Sequence, residues 1–203
     1  MSAAREHVQD EQYPWPRPPA EGWTADDLDR LPDLPPHTEL IDGNLVFMSP
    51  QTRFHARTIH FLVQVLTALA PEHLEAIAEM TLNVDRRNRP EPDVLVVPLD
   101  ADTGPRQTSF HPSDVVLAVE VVSEDSLERD REIKPVKYAQ AGVPHFWRVE
   151  ESEGLPVVYT YERDPATRTY GLTGIHHKQL VVDRPFAMDI DLTAAGRRGF
   201  RAL

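Results

Sequence analysis

Residues 115–124 read VVLAVEVVSE. From Val115 to Val122, seven of eight side chains are apolar, and the exception is Glu120. A short, β-branched, apolar run of this kind reads as a strand buried on both faces. A sheet must then be covered on two sides, and a carboxylate must sit inside it. An unpaired buried charge costs on the order of several kcal/mol. The strand therefore constrains the architecture, and it also demands a partner for Glu120.

The rest of the chain is compatible with such a core. Its 203 residues suit one domain, or one domain with a tail. There is no cysteine, so disulfides and thiolate metal sites are excluded. No apolar run reaches the length of a membrane span, and the polar start MSAAREHVQDEQ lacks the apolar block of a signal peptide. The expectation is a cytoplasmic protein with no membrane partner. A net charge of −12 argues against a nucleic-acid coat protein or a membrane-surface binder, both of which need broad positive fields. It leaves room for an enzyme that meets nucleic acid through a local basic patch. Basic clusters occur at Arg86, Arg87 and Arg89, at Arg129, Arg131, Lys134 and Lys137, and at Arg197, Arg198 and Arg201. Each taken alone reads as solvated surface charge.

Residues 1–22 include the proline-dense YPWPRPP and read as an extended arm, with Trp15 able to pack on the domain or on a second subunit. Residues 23–203 read as a single domain. Thr24 is placed to cap a short helix ending near Pro32. Asp42-Gly43 between two apolar segments predicts a hairpin. Ile59, Leu62, Leu66 and Leu69 recur at helical spacing within a helix over about 51–70, closed by Pro71. AIAEMTLNVD, PDVLVVP, VVLAVEVVS, HFWRVE, LPVVYTYER and the segment around QLVV read as strands, with a helix running to about Ala141. Strands around two helices give an α/β or α+β domain.

Two strands carry an acid in an apolar setting. Asp93 opens PDVLVVP, and Glu120 interrupts VVLAVEVV. Glu39 begins the hairpin. If the first two strands pair, their carboxylates converge, and a hard divalent ion between them would relieve the repulsion. Mg²⁺ takes one or two carboxylates, waters and phosphate oxygens. Lys134 follows 14 residues after Glu120 in DREIKPVKYAQAG, sharing a helical face with Asp130 and Tyr138. From there it would orient a water or steady negative charge on a phosphate. Pro135 requires the helix to start late or to kink. The plainer alternatives are an arginine partner for Glu120, a strand-start role for Asp93 and an exposed face for Lys134 and Lys137.

TADDLDRLPD, ELIDGNLVFMSP, the helix containing His55, PDVLVV and EVVSEDSLERDREIKPVKYAQAGVPHFWRV together resemble the Uma-two family of restriction-endonuclease-like proteins, within the PD-(D/E)XK nuclease superfamily. The resemblance implies a restriction-endonuclease-like core: a mixed central sheet flanked by helices, with additional β-strands on the C-terminal side. It implies Asp93, Glu120 and Glu39 as acidic ligands of Mg²⁺, or of Mn²⁺ in its place, and Lys134 as the catalytic lysine. The superfamily's E-x-K would put lysine at 122, where this chain has Val122. Lys134 on the following helix would replace it. His55 and Tyr138 are site-adjacent candidates, each equally at home in a core. His176-His177 has no third ligand at a recognisable spacing, so zinc is not expected.

The expected activity is metal-dependent endonucleolytic cleavage of nucleic acid, DNA in the first instance, by a homodimer. The chief rival is a non-catalytic binding or scaffold protein that keeps the nuclease-like fold. A metal-free hydrolase using Asp93 and Glu120 as acid and base is a second rival.

Overall fold

The computed structural model describes residues 17–196. Trp15, the start of the proline-rich arm and the basic cluster at Arg197, Arg198 and Arg201 lie outside them.

The chain opens with α1 (Ala25–Leu28), the hairpin β1 (Glu39–Ile41) and β2 (Asn44–Val46), and the long helix α2 (Arg53–Leu69). Four strands follow: β3 (Leu74–Ala78), β4 (Thr81–Leu82), β5 (Val94–Pro98) and β6 (Ser109–Phe110). Then come β7 (Leu117–Val121), a π-helical turn (Arg129–Ile133), α3 (Lys134–Ala141) and β8 (His145–Ser152). The chain continues through β9 (Leu155–Asp164), β10 (Thr169–His176), β11 (Gln179–Val182) and β12 (Met188–Asp191). The central sheet has six strands in the order β10-β9-β8-β7-β5-β3. It is mixed: β7 and β8 run parallel, and every other neighbouring pair is antiparallel.

Both faces of the sheet are covered, as the apolar run of β7 requires. Leu117, Val119 and Val121 face a core built with Ile59, Leu62, Val65 and Leu66 of α2 and with Leu180, Met188 and Ile190 of β11 and β12. Ala118 faces the other way, into a core with Leu82, Phe110, Tyr138 and Phe146. The strand period of two puts Glu120 on that second side, beneath α3.

Local chemistry sets several of these elements. The Asp27 carboxylate accepts from both the N–H and the hydroxyl of Thr24 (2.8 and 2.7 Å), closing the start of α1. Asp42 and Gly43 both take left-handed backbone (φ 51° and 80°), as a two-residue type I′ hairpin turn needs. Reciprocal backbone bonds between Leu40 and Arg89 (2.8 and 3.1 Å) dock that hairpin on the strand lead-in. The Thr52 hydroxyl accepts from the His55 N–H at 3.2 Å and starts α2. Leu69, expected on the apolar face of α2, is exposed in its last turn.

The sequence predicts one strand across AIAEMTLNVD, and the chain makes two. Glu79 adopts φ 54°, which no strand residue sustains, so β3 ends at Ala78. β4 then pairs with β6, outside the central sheet. Pro135 is also accommodated. The turn before it is π-helical, and proline occupies the first turn of α3, where its missing N–H has no α-helical partner to lose. Gly142 ends α3 at φ 104°.

Candidate active site

Glu120 lies one residue from the end of the most buried strand and is 1% exposed. Both of its carboxylate oxygens are engaged from α3. Lys134 donates to Oε2 at 3.1 Å and Tyr138 to Oε1 at 2.5 Å. The partner is thus a lysine, where an arginine was the plain alternative. The i, i+4 spacing of Lys134 and Tyr138 aims two successive turns of one helix at one carboxylate.

Lys134 collects further acids. Its Nζ is 2.8 Å from Glu39 Oε1 and 3.2 Å from Asp130 Oδ1. The first contact crosses from the hairpin, which the Leu40–Arg89 pairing holds in place. The second is the i, i+4 neighbour on the π-helical turn; it is a charge contact, since Asp130 Oδ1 lacks hydrogen-bond geometry to any partner. Glu39 Oε1 also accepts the Glu91 N–H at 2.8 Å. Glu39 Oε2 is buried without a hydrogen-bond partner.

Asp93 stands immediately before β5. The pairing Val94↔Val119, continued by one residue, sets it beside Glu120. Its Oδ2 accepts from the Val121 N–H at 2.5 Å, and its Oδ1 is 3.2 Å from His55 Nε2. His55 comes from the first turn of α2 and is buried, with Nδ1 unpartnered. The five expected acid, lysine and tyrosine positions, with His55, therefore come together at one end of β5 and β7.

A cavity of about 410 Å³ opens at this end, walled by Glu39, Asp93, His55, His37, Glu79 and Glu91 among others. Glu120, Lys134 and Tyr138 are not on its wall. They form the layer behind it. Lys134 accordingly has a counter-ion's place and is screened from a ligand by the acids it holds. His37, Glu79, Glu91 and Asp130 were not singled out as site residues from sequence. Asp130 had a signal in its spacing from Lys134. Glu91 stands two residues before Asp93. His37 and Glu79 lie on irregular backbone, where no periodicity fixes the direction of a side chain.

Acid outnumbers base in this layer. Burial, with Asp130, Asp93 and Glu39 nearby, pushes Glu120 well above the usual carboxyl range, although Lys134 opposes it. Burial also raises Asp130. For Lys134 burial pulls downward, but Glu120, Glu39 and Asp130 outweigh it and hold the ammonium charged. Desolvation and the Glu120 charge push Tyr138 well above its ordinary value, so it remains a hydrogen-bond donor. His55 is raised because the Asp93 bond overcomes the cost of burial. On the wall, burial raises Glu91, and its 2.5 Å bond to His37 raises the imidazole.

The donors suit a hard cation. Every carboxylate at the cavity offers oxygen, and Glu39 Oε2 is a buried carboxyl oxygen without a hydrogen-bond partner. Mg²⁺ needs only one or two carboxylates beside its waters. Glu39 and Asp93, both on the wall, meet that requirement. Among the described residues no group of three or more His, Asp or Glu side chains is spaced to hold a metal ion. Glu120 would join such a shell only by loosening Lys134 or Tyr138.

These features can be set beside known proteins. A protein of Anabaena variabilis ATCC 29413, described as "a putative nuclease belonging to DUF820", shares the fold with a TM-score of 0.64 and 16% sequence identity. The match covers 85% of this chain and 97% of that one. No curated protein matches the chain. The Uma2 family model, described as "Putative restriction endonuclease", matches residues 25–195, which take in the hairpin, both acidic strands, the lysine helix and the strands after them. The chain belongs to the Uma2 family.

Proposed function

We propose that this protein is a nuclease that hydrolyses phosphodiester bonds, with DNA as its substrate and Mg²⁺ or Mn²⁺ as its cofactor. The observation that carries this reading is the meeting of Asp93 and Glu39 on one cavity wall, backed by the buried Glu120–Lys134–Tyr138 cluster. Asp93 and Glu39 would hold the ion, and Glu120 would complete its shell. A bound ion would polarise the phosphate and lower the pKa of an attacking water. The chain's own residues do the rest. His55 and the Val121 N–H fix the Asp93 carboxylate. Lys134 is the counter-ion shared by Glu39 and Glu120, and it would steady negative charge if those acids turned to a cation. Without a cation the wall of acids repels phosphate, so placing the scissile phosphate in this cavity should depend on the metal.

The test is incubation of the purified protein with supercoiled plasmid and single-stranded circular DNA, in Mg²⁺, in Mn²⁺ and in chelator. Cleavage should require the metal. Losing a residue that merely supports a metal ligand costs about 10–100-fold, so Asp93→Asn should lower the rate by more than about 100-fold. Cleavage that survives in chelator, or in Asp93→Asn, overturns the proposal. The second reading is a binding protein that retains the fold. Lys134 favours it, because it already stands among Glu39, Glu120 and Asp130 as a counter-ion without a metal. Titration calorimetry separates the two: the nuclease takes up Mg²⁺ and loses that uptake in Asp93→Asn, while the scaffold shows neither. A homodimer, which would present two sites to a duplex, belongs to the same proposal and is read by sedimentation.

A further inference from the structure

The outer face of α3 borders a second concavity, of about 540 Å³, that the acid cluster does not use. Pro135, Val136, Ala139 and Gln140 form one wall. The opposite wall is the sheet surface of β8–β10, with Phe146, Tyr161 and Tyr170 packed ring on ring at 5.4–6.4 Å. Arg131, Arg148 and Arg168 stand around it. The Arg163 Nε bond to the Ala139 carbonyl (2.5 Å) ties β9 to α3 beside the groove.

The charge here is opposite to that of the molecule as a whole. Arg131 and Arg148 share one carboxylate, Glu150, at 2.6–3.0 Å, and Glu132 also lines the groove, so Arg168 supplies its surplus positive charge. Arg148 also lies over the Tyr159 ring, 4.5 Å from its centroid. Arg168, on the β9–β10 turn, makes no ion pair among the described residues. Val136 projects into the groove 54% exposed. In a chain of net charge −12, such a place draws anions that the rest of the surface turns away. Guanidinium groups fit phosphate oxygens, and an aromatic and aliphatic wall fits the flat face of a base. The volume lies within the usual 300–1,000 Å³ range of ligand pockets.

We propose that this groove holds a nucleotide of the substrate strand outside the scissile position, with phosphate on Arg168 and Arg131 and a base against Val136 and Tyr161. The inference rests on the nuclease reading and extends it. One helix serves both places, since Lys134 and Tyr138 point inward from α3 and Val136 and Gln140 point outward. A helix is about 10 Å across, so about that distance separates the groove from the Glu120–Lys134–Tyr138 layer behind the acid cavity.

The experiment is fluorescence anisotropy of a labelled 12-nucleotide single-stranded DNA with the full chain in chelator, where cleavage plays no part, repeated over a salt series. Arg168→Ala should weaken binding and lower the slope of log affinity against log salt by about 0.7, one phosphate contact on a single strand. Val136→Glu should weaken binding as well, and both positions are exposed, so thermal unfolding should be unchanged. In cleavage assays Arg168→Ala should raise KM and leave kcat alone. An unchanged affinity and salt slope in both variants overturns the groove assignment. Tight binding of free dAMP, with no gain from the 12-mer, overturns the strand as its occupant. Cleavage with an Arg168-independent KM sinks this inference and leaves the nuclease reading intact. Arg168-dependent binding without any metal-dependent cleavage does the reverse.

Discussion

The two sides of β7 solve the same problem in different ways. On the α2 side, Leu117, Val119 and Val121 pack into an apolar core, and stability comes from removing hydrocarbon from water. On the α3 side, Ala118 meets Tyr138 and Phe146, and then Glu120 opens a buried cluster of carboxylates around one ammonium. A hydrophobic replacement there would hold the fold at least as well. The contrast locates the chemistry: one face is built to last, and the other carries charges that folding alone does not need.

Removing the ammonium should have the largest effect. Lys134→Met leaves Glu39, Glu120 and Asp130 buried without their cation, and should cost about 3–5 kcal/mol in urea unfolding. Adding Glu120→Gln should return part of that loss; a double variant no more stable than Lys134→Met alone would break the comparison. On the opposite face, Leu117→Ala should cost about 2–5 kcal/mol through the cavity it leaves. Its loss should be the same with or without Glu120→Gln, since it touches no charge.

The smallest effect is a pH slope on the α2 side. His145 shares that side of β8 with Trp147 and Val149, and pairs with Leu117 in register. Burial lowers its pKa below the ordinary 6.5; Arg184 pushes the same way and Glu162 opposes them. The stability it contributes is present above 6.5 and is lost as pH falls through the lowered value. Wild-type Tm should therefore decline from pH 7 to 5 more steeply than that of His145→Gln. Equal slopes would remove His145 from the account.

Much of the site was legible because strand and helix periods are strict. Alternation along β7 puts Glu120 opposite the α2 core, and a spacing of four puts Asp130, Lys134 and Tyr138 on one face. Asp42-Gly43 announces the hairpin that delivers Glu39. Periodicity is silent where the backbone is irregular. Glu79 breaks the predicted strand through its own left-handed conformation, and His37 and Glu91 come from lead-in segments. The Pro135 difficulty had an answer that local propensity does not provide, a π-helical turn, because such turns are selected by tertiary packing. The cavity wall therefore belongs mostly to residues that a pattern cannot place.

That π-helical turn has a consequence for how the chain can change. Each residue in an ordinary helix advances the side chains by about 100°. Rewinding Arg129–Ile133 as an ordinary helix, with no residue removed, would swing every later side chain of α3 around the axis. The ammonium would leave the acids, and the outer wall of the groove would rotate with it. The wide turn therefore absorbs one residue between the acidic strand and its helix, and inserting a further residue there should be far less tolerated than substitutions.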